Sequence, residues 1–199
     1  MKAVKSSNKK RSRNITIGAV IGFLLSCTAV MGADEIGLNI TQNADEEIKF
    51  NDKEYDSNNH KFSDNTFEDN TYINNMTISG ENASGSAHGI KLSLTNETIN
   101  LINNGMISVN SNTSNNTMSS GIYNGGGITT LINNGKISSN GNKEVYGIFN
   151  SSGKKITKFS NSGIISISSN TGQATGIINV NNGEITKFSN SGVISVISK

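Results

Sequence analysis

The sequence has no proline and no tryptophan, and only one cysteine among its 199 residues. Aromatic residues make up 6% of the chain, and hydrophobic residues of all kinds 33%. Histidine occurs twice. Each shortage removes a possibility. A single cysteine, Cys27, cannot make an internal disulfide, so no covalent staple holds the fold. His60 and His88 stand in unrelated contexts, which leaves no His-based zinc pair and no Ser-His-Asp arrangement. So few apolar residues put the composition near the disordered class, which cannot bury enough surface to offset chain entropy. The length argues for one domain.

What is abundant is asparagine, 32 residues, and glycine, 21 residues. The scarce apolar residues recur at fixed places, and that periodicity argues against disorder. Leu101-Ile102-Asn103-Asn104-Gly105-Met106-Ile107-Ser108 has four relatives in the chain, beginning at Tyr72, Leu131, Phe159 and Phe188. The starts at 72, 101, 131, 159 and 188 lie 28–30 residues apart. The shared unit is apolar-x-Asn-x-Gly-x-Ile-Ser. Its Ile column is Ile78, Ile107, Ile137, Ile165 and Ile194. Its Asn column is Asn74, Asn103, Asn133, Asn161 and Asn190. Met76 replaces the Gly in the first copy, as an atypical terminal repeat would.

Alternation with period two from the large residue to the Ile fits strands rather than helices. Asn and Gly between them fit a bend, where Gly tolerates positive φ and Asn bonds its own backbone. A second motif lies between the copies: Gly89-Ile90, Gly121-Ile122, Gly147-Ile148 and Gly176-Ile177. A further Ile precedes the next large residue at Ile128, Ile156 and Ile185. Each unit therefore holds about three short β segments, with variable loops expected at Val109–Ser120 and Ser139–Tyr146. No unit can bury an apolar face alone. Coiled so that like columns stack about 4.8 Å apart, they can. The fold expected is all-β, a parallel β-helix (β-solenoid) of about four to five coils, with Asn side chains laddered along the axis. Propeller blades are longer and four-stranded, and a sandwich needs no copies in register. The column after the large residue is Ile73, Ile102, Ile132, Ser160 and Ser189. Its three isoleucines read either as ordinary strand residues or as a contact face.

Charge is segregated. Residues 1–33 carry net +6, residues 34–100 net −9 and residues 101–199 net +5, which together give +2. No clustered basic face of the kind that binds nucleic acid is evident. Residues 1–33 are expected to be a signal peptide with a signal helix. Six bases from Lys2 to Arg13 precede the uncharged run Ile15–Gly32, and acid resumes at Asp34. Cleavage is expected after Gly32 or Ala33. A membrane anchor is the alternative reading, and Leu24-Leu25-Ser26-Cys27 is a loose lipidation box. Residues 34–70 read as an irregular acidic cap, with short strands at Gly37–Thr41 and Glu47–Phe50. Asp52 to Asn58 alternate oxygen ligands, but calcium-loop spacing fails at Ser57 and Ser63, so a solvated loop is expected. The repeats occupy 71–199.

The leader, Asn14 to Val20 and Phe23 to Cys27, together with the Asn/Gly/Ser-rich repeats, resembles type V autotransporter passengers. The leader is similar to those of fusobacterial surface proteins of that kind. The resemblance implies inner-membrane export machinery, passage through a C-terminal β-barrel, and display of a β-helix at the cell surface. Departing from that pattern, the sequence has no run of ten-residue alternating barrel strands. It reads as the front of a longer protein, a truncated gene product or a passenger fragment, periplasmic if it truly lacks a barrel.

No cofactor, metal or catalytic set is expected. Residues 101–199 hold no Asp, and only Glu144 and Glu184, so a carboxylate dyad is hard to build there. Gly125-Gly126-Gly127 lacks the Lys-Ser/Thr of a phosphate loop, and His88 reads as a solvated turn residue. The expected function is a non-catalytic, adhesin-like passenger whose partner is a host or neighbouring-cell surface ligand. The alternatives are the N-terminal part of a β-helical polysaccharide-active enzyme and a non-functional truncated gene product.

Overall fold

The structure is a computed structural model that describes residues 35–42, 48–50, 53–54, 61–62, 65–82, 85–111 and 118–199. It is all-β among those residues. The chain winds as a β-solenoid with three flat faces. Each face is a parallel sheet of five strands, one from each successive turn. Face 1 stacks β1 (Glu35–Gln42), β8 (Ala87–Leu94), β11 (Met118–Asn124), β14 (Glu144–Asn150) and β17 (Ala174–Asn179). Face 2 stacks β6 (Thr71–Asn74), β9 (Ile99–Asn103), β12 (Ile128–Asn133), β15 (Lys155–Asn161) and β18 (Glu184–Asn190). Face 3 stacks β7 (Thr77–Asn82), β10 (Met106–Ser111), β13 (Lys136–Gly141), β16 (Ile164–Ser169) and β19 (Val193–Ser198).

At the N-terminal end two faces are closed by short antiparallel pieces. β2 (Lys49–Phe50) pairs with β1 and with β3 (Lys53–Glu54). β5 (Asn65–Glu68) pairs with β6 and with β4 (Lys61–Phe62). Phe50 packs edge-on against Phe67 and lies beside Tyr72, which plugs the first turn with aromatic rings. Antiparallel pairing at an edge uses up the free backbone groups that would otherwise template aggregation.

Stacking keeps register throughout. Tyr72 pairs with Leu101, Leu101 with Leu131, Leu131 with Phe159, and Phe159 with Phe188. The Ile column runs unbroken from Ile78 to Ile194 along face 3. Leu101, Ile107, Leu131, Ile137, Phe159 and Ile165 are completely buried. Burying a side chain of that size contributes about 1.5–3 kcal/mol, so two such columns hold much of the rod together.

The two motifs of the sequence turn out to be one device. The glycine of each Gly-Ile pair faces inward at the junction of faces 1 and 3. A Cβ on Gly147 would lie 2.7 Å from Cγ2 of Ile165, and one on Gly176 would lie 2.8 Å from Cγ2 of Ile194. The glycine makes the hole that the repeat Ile fills. The bend after the Asn column works in a similar way. Gly105, Gly135, Gly163 and Gly192 do not have positive φ; among described glycines only Gly153 does. A Cβ at Gly135 would collide with the carbonyl of Gly105 in the turn below. These glycines are there for axial clearance rather than for conformational freedom, which corrects the reading of the bend from sequence.

Two other expectations change. Ser139–Tyr146 is strand on both sides of a two-residue corner at Asn142-Lys143, because its residues pair continuously with the turns above and below. The expected strand at Gly37–Thr41 is part of β1, which is not merely a lead-in. It pairs in parallel with β8 over seven positions and starts face 1.

Candidate contact faces

Among the described residues the inward columns are buried against one another, which leaves the outer columns as the surfaces open to contact. On face 2 the column Ile73, Ile102, Ile132, Ser160 and Ser189 is in register as expected. The three isoleucines are half-buried. Beside them runs a second outward column: Thr71, Asn100, Thr130, Lys158 and Lys187. The face therefore changes along its length, apolar beside neutral polar in the first three turns and serine beside lysine in the last two. Lys155 pairs with Glu184 at 3.3 Å in the same region. Thr186 and then Lys155 hold the Glu184 carboxyl below its ordinary pKa.

Beneath the surface of face 2 lies an amide ladder. Asn74 Nδ2 donates to Asn103 Oδ1, Asn103 to Asn133, Asn133 to Asn161, and Asn161 to Asn190, each at 2.7 Å. A second ladder begins at Asn124, which donates to Asn150 at 2.7 Å, and Asn150 donates to Asn179 at 2.9 Å. Leu92 occupies the position below Asn124, and the Asn124 Oδ1 is buried without a partner. Apart from that oxygen, the ladders pair the buried amides with one another rather than present them to a ligand.

On face 1 an aromatic cluster covers the sheet. The outward column is Lys91, Tyr123, Phe149 and Ile178. Tyr123 and Phe149 stack in parallel with ring centres 5.3 Å apart. The Lys91 ammonium sits 5.9 Å from the Tyr123 ring centre. His88 lies 5.1 Å from Tyr123, and Tyr146 meets Phe149 edge-on at 5.2 Å. His88 is not a solvated turn residue. It is buried within β8, with Nδ1 2.8 Å from Ser120 Oγ. The strand pairing puts Ser120 directly over it, and a satisfied, shielded imidazole results.

A histidine on a serine has the outline of a base and nucleophile. Here Ser120 is completely buried, so no substrate atom can approach its oxygen. Tyr146, in the same cluster, offers no reactive group either. Burial, then the Glu144 charge, then the hydrogen bond from the Tyr146 hydroxyl to Glu144 push the Tyr146 phenol up to about 12. It stays a protonated donor at physiological pH. The signal for this cluster was present in sequence: Lys91, Tyr123, Phe149 and Ile178 each lie two residues after the glycine of a Gly-Ile pair.

Among the described residues no group of three or more His, Cys, Asp or Glu side chains converges on a point. His60, Cys27 with its lipidation box, and the whole of the 1–33 leader lie outside the described residues, as do Asp52 and Tyr55 to Asn58 of the acidic loop. Comparison with protein-family profiles, with characterised proteins and with solved structures returns no match.

Proposed function

We propose that the chain is an exported, non-catalytic rod of the autotransporter-passenger kind, acting by contact at the cell surface. The observation that carries this reading is the pair of in-register outward columns on face 2, where three half-buried isoleucines are held in line on one sheet. A binding surface needs side chains fixed without help from a ligand, and a solenoid fixes them at every turn. Apolar groups at the centre with polar groups alongside are the composition of an adhesive patch. The basic, then apolar, then acidic N-terminus supports export. The partner is a ligand on a host or neighbouring cell, and passage of an outer membrane needs a barrel translocator.

Two measurements test the two halves. Residues 1–40 fused to a leaderless alkaline phosphatase should give activity in a bacterium with two membranes, since that enzyme folds only after export. Absence of activity removes the export half. Beads coated with the protein should bind cells, and Ile102→Lys with Ile132→Lys should abolish binding while leaving the circular dichroism unchanged. Equal binding by the variant removes face 2 as the contact surface.

A further inference from the structure

We propose that face 2 binds a second copy of this chain, face to face with the rods antiparallel, about a two-fold axis at Ile102. This pairing rests on the reading of face 2 as the contact surface and names its partner. The pattern begins below the first full turn. Phe67 of β5 is buried and pairs with Tyr72, so its neighbour Glu68, which pairs with Thr71, faces outward and is exposed. The second outward column of face 2 therefore starts one strand lower and reads Glu68, Thr71, Asn100, Thr130 and Lys158. It is acidic at one end, uncharged through three turns and basic at the other. The column beside it holds Ile73, Ile102 and Ile132 in those same three uncharged layers. The strands involved, β5, β6, β9, β12 and β15, each lie between two paired neighbours, so this surface is the side of the rod and not a sheet edge.

The apolar and the charged patterns agree on one partner and one register. A two-fold axis running along the strands reverses the rod and sets each column on its own image. Placed at Ile102, it lays Ile102 on Ile102 of the second copy and Ile73 on Ile132. The same placement brings Glu68 onto Lys158 and, by symmetry, Lys158 onto Glu68. Two ion pairs then close the ends of one apolar strip, while Thr71 meets Thr130 and Asn100 meets itself. Parallel rods would exchange the two columns. Isoleucines would then lie on Thr71, Asn100 and Thr130, with Glu68 and Lys158 at opposite ends. Sheets pack face to face about 10 Å apart, so the side chains of both copies interdigitate. The contact is five strands tall, about 20 Å at the strand spacing. It is smaller than the roughly 800 Å² per partner of a standard interface, so the dimer is weak and reversible, with a dissociation constant on the order of 10–100 µM.

Sedimentation of the full chain from about 1 µM to 1 mM tests this, and the parent should pass from monomer to dimer across that range. Glu68→Lys and Lys158→Glu each turn both ion pairs into repulsions and should weaken association about tenfold or more. The double variant, Glu68→Lys with Lys158→Glu, should restore it. An equimolar mixture of the two single variants should restore it as well, because opposite charges meet in the mixed pair. Both side chains are exposed, so the fold should persist, and circular dichroism checks that. Should a single variant fail to fold, the parent decides by itself: its association should weaken several-fold from about 0.05 to 0.5 M salt. A parent that stays monomeric, single variants that associate as the parent does, or a double variant and mixture no better than the single variants would overturn the pairing. Coated beads separate this from the reading beneath it. Beads that bind cells through Ile102 and Ile132 while the chain stays monomeric overturn the dimer alone. If neither cell binding nor association responds to Ile102→Lys with Ile132→Lys, both readings fall.

Discussion

Asn133 accepts from Asn103 and donates to Asn161, and all three are buried. Asn134, its neighbour in sequence, donates to Asn104 at 2.9 Å in an exposed ladder. The two residues have the same chemistry and nearly the same bond lengths, so burial alone separates them. Asn133→Ala strands the Asn103 donor below and the Asn161 acceptor above in a dry core, and should cost about 2–4 kcal/mol in urea unfolding. Asn134→Ala leaves partners that water can satisfy and should cost under about 0.5 kcal/mol. Glycines divide in the same way. Gly135→Ala drives a methyl into the Gly105 carbonyl and should destabilise by about 3 kcal/mol or more, because the turns cannot separate locally. Gly153, at φ 65° with open space around it, should cost only about 1–2 kcal/mol when replaced by Ala. Equal losses at the two glycines would contradict the stacking account.

At the level of strands, what the sequence disclosed was whatever repeats. Leu101 and Leu131 occupy one column because 30 residues separate them, and like residues at that spacing can be aligned by eye. β1 escaped this reading because Leu38 and Ile90 pair across 52 residues, with the N-terminal hairpins inserted between them. Gly147 could be seen as a repeated glycine, but its purpose lies on another face, in the methyl of Ile165. His88 was misjudged because its burial comes from Ser120 and Tyr123 in the next turn, which no local window contains. The face 1 cluster also carries a pH signature. The unfolded chain releases the Tyr146 proton near pH 10, and the folded chain holds it to about 12. The folded state binds more protons over that window. Its stabilisation is complete below pH 10 and is lost as pH rises toward 12. Tyr146→Phe should flatten the fall in unfolding midpoint across that window, and an unchanged slope would show that another group sets it.

For the rod as a whole, contacts join each turn only to its neighbours, so turns should behave as interchangeable units. Deleting residues 131–158 brings Phe159 into the place of Leu131, and every column stays in register. That variant should fold, with a urea m-value lower by roughly a fifth. Deleting 131–144 breaks register and should abolish cooperative unfolding. The same nearest-neighbour arrangement has a mechanical side. The hydrogen bonds between turns, such as those joining β12 to β15, run along the rod rather than across it. A pull on the two ends therefore tests one layer of bonds at a time, and the rod peels instead of shearing. From β6 onward each layer holds 28–30 residues and should release on the order of 100 Å of chain. Stretched between two anchors, the molecule would act as an extensible tether that lengthens in equal steps at nearly constant force.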